Sequence, residues 1–263
     1  MSKQNYWRYY VRVPYESPVS KTVLTEDDKE VKEYKCAYPI RLLDWDEYNP
    51  LAHPIFNISP TLLTRRLKLD LSVTSLFEFV VYALIKEDRL WQLEKVFSMA
   101  FREEVKAMVY RKGESQEIRF VFASDNAFYI DKNNFLQVRE ILMEQAFYFD
   151  PIVGEDERSQ KLIDKAISRL AKKGSDSETN IESMVSLVKS EYNITDWTEY
   201  TYYELRIDYY TIIRKENFRA VHVYRAFGGN SKIPEFGAIS EAHSDPFGED
   251  VLFKRNDRSK DTY

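Results

Sequence analysis

The chain has 263 residues, 44% of them hydrophobic and 31% charged, with 7 Gly and 9 Pro. That is a folding composition, long enough to bury a sizeable core in one large domain or two smaller ones. Its net charge of -5, from 38 basic and 43 acidic residues, gives no bulk electrostatic case for nucleic acid. The single Cys36 excludes an intramolecular disulfide framework or a thiolate metal cluster and fits a reducing compartment. The start, MSKQNYWRYY, lacks the apolar run of a secretion signal, and Leu76–Ile85 is too short for a membrane span. The expectation is a soluble, intracellular protein.

Taken in order, Tyr6–Val13 has the makings of a strand, and the acidic run at 26–33 reads as a loop or solvated edge. Cys36–Leu42 suits a short strand and Leu43–Tyr48 a helical turn. Pro39, Pro50, Pro54 and Pro60 argue against long helices here. Arg65, Arg66 and Lys68 form a basic cluster whose plain reading is exposed charge flanking an amphipathic segment. Ser72–Glu87 is the first strong helix, with Leu76, Phe77, Phe79, Val80, Val81, Leu84 and Ile85 as its centre and Ser72 or Thr74 as its cap. A second helix follows over Asp88–Val105, carrying Trp91, Val96, Phe97, Ala100 and Phe101. The short junction favours an antiparallel pair burying facing stripes.

The period then switches from helix to strand. Lys106–Tyr110, Gln116–Ala123 and Ala127–Ile130 read as a small antiparallel sheet, with Gly113 available for the first turn. Ile118, Phe120 and Phe122 alternate with Arg119 and Val121, as on a half-buried strand. Helices resume over Phe135–Ala146, Asp156–Lys173 and Asn180–Tyr192, the last with Thr179 and Glu182 as a capping box. Residues 174–177 suit a mobile loop. The longest helical pattern is Thr201–Phe227, opened by a Thr201/Glu204 box, closed by Gly228 and Gly229, and unusually rich in Tyr. Residues 230–263 read as an extended or partly disordered tail. The expected class is α+β: a predominantly helical bundle with a small antiparallel sheet at about 105–130 and that tail. The division is 1–70 as an irregular or β region packed on the body, 71–229 as the core domain, and 230–263 as the tail.

Signals of chemistry are few. His53, His222 and His243 fall in separate segments without metal-ligand spacing. No nucleophile elbow, phosphate-gripping glycine loop or dinucleotide fingerprint is present. Clusters such as Asp44, Asp46 and Glu47 read as solvated charge rather than paired catalytic carboxylates. YWRYYVR at 6–12 interleaves aromatic and basic residues, a weak sign of single-strand binding in an acidic chain. No catalytic, cofactor or metal residues are therefore assigned, and the expectation is a non-enzymatic protein that binds neither nucleic acid nor membrane.

NNFLQVREILMEQAFYF at 133–149, the acidic-to-polar helix after it, and ETNIESMVSLVKSEYNITDWTEYTYYELRIDYYTIIRKENFR at 178–219 form a recurring arrangement of helix lengths, caps and aromatic positions. Over roughly 70–225 it resembles the cytoplasmic tail assembly chaperones of long-tailed bacteriophages, particularly those of Gram-positive hosts. The resemblance implies a partner: the hydrophobic, helical tape measure protein, kept soluble in the host cytoplasm during assembly of the viral tail tube. It also implies absence from the finished virion. Some members carry a frameshift extension that one polypeptide sequence does not reveal. On this reading the candidate protein-binding residues are Tyr202, Tyr203, Tyr209, Tyr210, Phe218, Trp91, Phe97 and Phe101, each of which also suits an ordinary core. Two alternatives stay open. One is a virion structural or tail-completion protein that self-associates into a ring or polymer. The other is an enzyme or regulatory factor of another family.

Overall fold

In a computed structural model, the described residues are 15–24, 30–59, 75–112, 115–149, 151–174, 181–227 and 229. They form seven α-helices, one 3-10 turn and two small antiparallel sheets. The α+β expectation holds, including the sheet near 105–130. The tail, Tyr6–Val13, the Arg65, Arg66 and Lys68 cluster, and the Thr179 cap lie outside these residues, as do 175–177 of the expected loop.

Two compact units divide the chain. The first runs from β1 (Tyr15–Leu24) and β2 (Glu30–Ala37) through α1 (Trp45–Phe56), α2 (Leu76–Lys86) and α3 (Trp91–Phe101). It continues with β3 (Val105–Lys112), β4 (Ser115–Phe122), β5 (Asp125–Ile130) and α4 (Phe135–Ala146), and it includes Thr198–Tyr203. The second unit carries α5 (Glu157–Gly174), α6 (Ile181–Tyr192) and α7 (Tyr202–Ala226) from Glu204 onward.

Three elements of the first unit differ from their sequence reading. β1 and the exposed start of β2 pair as an antiparallel hairpin, from Tyr15↔Ala37 to Leu24↔Glu30. The ladder shifts register between Glu16 and Ser20, around Pro18, where a missing N–H is tolerated. Charge on β2 hid this strand, because its residues from Glu30 to Tyr34 are exposed and show no apolar alternation. α1 forms despite Pro50 and Pro54 inside it, each of which costs about 3 kcal/mol in an isolated helix. Trp45, Tyr48, Ala52, Ile55 and Phe56 are buried along one face of α1, and tertiary burial outweighs propensity. Finally, α2 and α3 are shorter than expected and do not simply bury their stripes on each other. α3 packs chiefly on α1 and β3, while α2 meets α4.

The β3–β4–β5 sheet is antiparallel, with Val105↔Phe122 through Lys112↔Ser115 on one side and Phe120↔Ile130 on the other. Residues opposite one another share a face, so Ile118, Phe120, Phe122, Phe128 and Ile130 point the same way. Phe120 is fully buried there, edge-on to Phe77 of α2 at 6.0 Å and to Phe97 of α3 at 5.2 Å between ring centroids. Phe101 meets Phe122 at 5.0 Å, and Phe77 meets Phe135 of α4 at 5.3 Å. Edge-to-face packing of this kind adds to the area term of burial.

Two polar ties hold the surroundings in place. Buried Arg139 of α4 donates through Nε and an η nitrogen to the Phe56 carbonyl, at 3.0 and 2.5 Å, and to Ile58 at 3.2 Å. It thereby satisfies carbonyls at the C-terminal end of α1, where a cation is favoured. Residues 198–203 are fastened by backbone bonds from Leu42 N–H to Tyr200 and from Tyr202 N–H to Ile40, at 2.7 and 2.9 Å. Tyr202 also stacks on Trp45 at 3.5 Å.

In the second unit, Asp156 accepts from the Ser159 N–H at 2.6 Å and so caps α5. At the end of α7, Gly229 donates to the Tyr224 carbonyl at 3.0 Å. A Cβ on Gly229 would lie 2.0 Å from the Tyr224 ring, so only glycine fits this stop.

Candidate functional site

The helix α2 sets the site. Ser75 caps it: its hydroxyl accepts from the Glu78 N–H at 3.2 Å, and the Glu78 carboxylate accepts from the Ser75 N–H at 3.0 Å. The Ser-x-x-Glu spacing at 75–78 was legible in the sequence, just after the cap expected at Ser72 or Thr74. That cap fixes the phase of the helix. Phe77, Val80, Val81 and Leu84 then face inward and are buried. The next stripe, Glu78, Tyr82 and Ile85, follows at the same spacing but meets no cover: Tyr82 is 69% exposed and Ile85 47%.

Opposite this stripe lies the first half of β4. Phe77, Val81, Tyr82 and Ile85 from α2, with Gln116 and Ile118 from β4, line a groove of about 200 Å³. Glu78, Glu117 and Lys132 edge it, and the buried Asp131 also lines it. Arg119 pairs with Glu117 at 3.3 Å, so two cations and two carboxylates meet at this edge. Lys132 bridges two of the carboxylates, 3.6 Å from Glu78 and 3.4 Å from Glu117.

The rim charges are well held. The Ser75 backbone N–H keeps the Glu78 carboxyl below the usual range, with Lys132 adding to the effect. Arg119 beside Glu117, followed by Lys132, does the same there. Glu78 in turn raises the Lys132 ammonium, with Glu117 reinforcing it. The groove thus offers an apolar floor with ionised edges over the neutral pH range. Its ionisable side chains are Glu78, Tyr82, Glu117, Asp131 and Lys132, and no histidine lines it.

A second cavity of about 310 Å³ is lined by Pro39, Arg41, Asp44, Glu47, Ser98, Met99 and Arg102. Its charges are paired within the fold. Arg41 donates to Asp44 at 2.6 Å, and Glu199 lies 3.7 Å from Arg41 and 3.3 Å from Arg102. Lys95 pairs with Glu47. These pairs anchor residue 199 to the body, and the cavity reads as a structural ion-pair network.

The eight residues named from sequence separate by burial, and none lines the groove. Phe97, Phe101, Tyr202 and Tyr203 are 0%, 5%, 8% and 1% exposed. Phe97 and Phe101 cover the sheet, Tyr202 stacks on Trp45, and Tyr203 stacks on Phe147 at 4.9 Å. A partner that binds the folded chain does not reach these four. Tyr209, Tyr210 and Phe218 are half-buried, and Trp91 is 50% exposed. The groove's aromatic residues, Phe77 and Tyr82, are not among the eight. The signal for Tyr82 was its place on the Glu78–Ile85 flank of an otherwise buried helix.

The histidines inside the described residues stand apart from both cavities. His53 lies 3.2 Å from the Asn57 amide and edge-on to Tyr148, while His222 lies beside Phe218. Among the described residues no group of three or more His, Cys, Asp or Glu is placed to hold a metal, and no helix is long and apolar enough to cross a membrane. No family model, curated protein or solved structure matches the chain.

Proposed function

We propose that this protein is a non-enzymatic binding factor whose α2–β4 groove takes apolar side chains from a helical protein client. The observation that carries this reading is the groove itself: an apolar floor with Tyr82 and Ile85 left bare on a helix that buries Leu76, Phe77, Val80, Val81 and Leu84. A bundle helix leaves such a stripe uncovered at a cost in solubility unless something occupies it. Helix-in-groove binding uses bulky anchors at three-to-four spacing. Combined with the resemblance over 70–225, the function is that of a phage tail assembly chaperone. It acts in the host cytoplasm on an apolar, helical tape measure protein.

The test is co-expression with a tape-measure-like client rich in apolar helix. The wild-type chain is expected to keep the client soluble in a complex, and Ile85→Glu, which places a charge on the groove wall, to lose it by tenfold or more. A client equally insoluble with and without the chain sinks the proposal. Formation of rings by the chain alone favours the virion-component reading instead.

A further inference from the structure

The β3–β4–β5 sheet has an edge that the fold closes over only half its length. β3 pairs with β4 on one side, and among the described residues no strand lies on the other. In an antiparallel ladder alternate residues turn their N–H and C=O groups to the same side. The outward set on β3 is identified by two bonds. Val105 N–H donates to Ser98 Oγ at 2.9 Å, and Ala107 N–H donates to a Glu94 carboxylate oxygen at 2.8 Å. Both acceptors come from α3, so this helix caps the first half of the edge with side chains. Val109 and Arg111 continue the same outward set, and none of the described residues pairs with their N–H groups.

We infer that the open half of β3, Met108 to Lys112, accepts an extended, acidic peptide segment of a partner as an added strand. Five residues offer about 17 Å of edge, the length of an ordinary short strand. Met108 and Val109 are 45% and 62% exposed, so apolar side chains flank the open bonds on both faces of the sheet. Charge selects the occupant. Lys106 already pairs with Glu104 at 2.8 Å, but the open half, MVYRK, has two cationic residues and no acidic one, and Arg111 is exposed. A second copy is a poor fit: antiparallel pairing of two β3 strands centred on Val109 would set Lys106 opposite Lys112 twice. Like charges directly opposite are destabilising. A segment with apolar residues in its middle and carboxylates at its ends satisfies both the bonds and the charges. This edge adjoins the groove, since Val109 and Arg111 lie opposite Ile118 and Gln116, but it offers backbone bonds where the groove offers apolar contact, and the inference stands whether or not the groove takes a helix.

The probe is a fluorescent heptapeptide of alternating valine and threonine with glutamate at both ends, added to the full chain. Its counterpart carries lysine in place of glutamate. The acidic peptide is expected to bind and to slow hydrogen exchange at the Val109 and Arg111 amides, leaving Val105 and Ala107 unchanged. Arg111→Glu is expected to weaken it about tenfold and to bring the lysine peptide up to similar affinity. Val109→Pro removes one outward N–H without taking a bond from the β3–β4 ladder and is expected to abolish binding. Equal binding of both peptides to the wild-type chain overturns the inference, as does saturation without protection at Val109 and Arg111. So does dimerisation of the chain that protects the same amides with no peptide present.

Discussion

One face of the β3–β4–β5 sheet behaves in two ways. At the Phe120–Phe122 end, rings from α2, α3 and α4 close over it, and Lys35 of β2 completes the cover. The Lys35 ammonium lies 5.2 Å from the Phe122 ring centroid and 5.0 Å from that of Phe128, and it donates to Glu103 at 2.5 Å. At the Gln116–Ile118 end the same face is an open groove, and beside it Val109 is exposed. Strand chemistry is similar at both ends, with Ile118 and Phe120 alternating as strand residues should. The difference lies in what the helices bring. α3 delivers Phe97 and Phe101 to one end, while α2 presents only its flank, Tyr82 and Ile85, to the other. Closure supports stability, and the open end is left available for recognition.

Breaking the closed end is expected to cost most. Phe120→Ala removes a fully buried ring that touches both Phe77 and Phe97, and should destabilise the first unit by about 3–5 kcal/mol in urea unfolding. A loss under about 1 kcal/mol would show that the cluster is looser than these distances state. Lys35→Met keeps the stem over Phe122 and Phe128 but strips the charge from Glu103. It should cost about 1–3 kcal/mol, since a largely covered carboxylate loses its cation.

That pair also makes the closed end acid-sensitive. Burial pushes the Glu103 carboxyl up, but Lys35 and Ser124 outweigh it and hold the group below its ordinary range. A depressed carboxyl contributes stability that is present above its unfolded pKa, about 4.3. That contribution is lost as pH falls through the lower folded value. Unfolding curves should therefore shift toward lower urea as pH drops below about 4.3, and Lys35→Met should flatten that dependence. An equal acid slope in both proteins would exclude this pair as its source.

Changes at the open end should be smaller in stability and larger in binding. Ser75→Ala removes the cap of α2 and should cost about 0.5–2 kcal/mol, loosening the groove wall without touching its floor. Tyr82→Ala and Ile85→Glu should each change stability by no more than about 0.5 kcal/mol, because both side chains are exposed. Ile85→Glu should nevertheless lose the client. If either substitution unfolds the protein as readily as Phe120→Ala, the two ends are equivalent and the comparison fails.

Local pattern was enough for much of this molecule. Period-two alternation placed β3, β4 and β5, and period-3.6 stripes placed α2 through α7, because each element carries its own apolar face into the core. β1 and β2 escaped because few of the hairpin's residues are apolar and buried, Val19 and Ala37 among them, and its lysines pair with Glu103 and Asp125, partners far away in sequence. α1 escaped because its prolines are outweighed only by burial that the helix alone does not have. The sequence could show which residues were aromatic. It could not show which were already occupied: Tyr202 and Tyr203 are used by Trp45 and Phe147, while Tyr82 is left bare. Whether a face is closed depends on which other element arrives over it, a long-range property that only the tertiary structure decides.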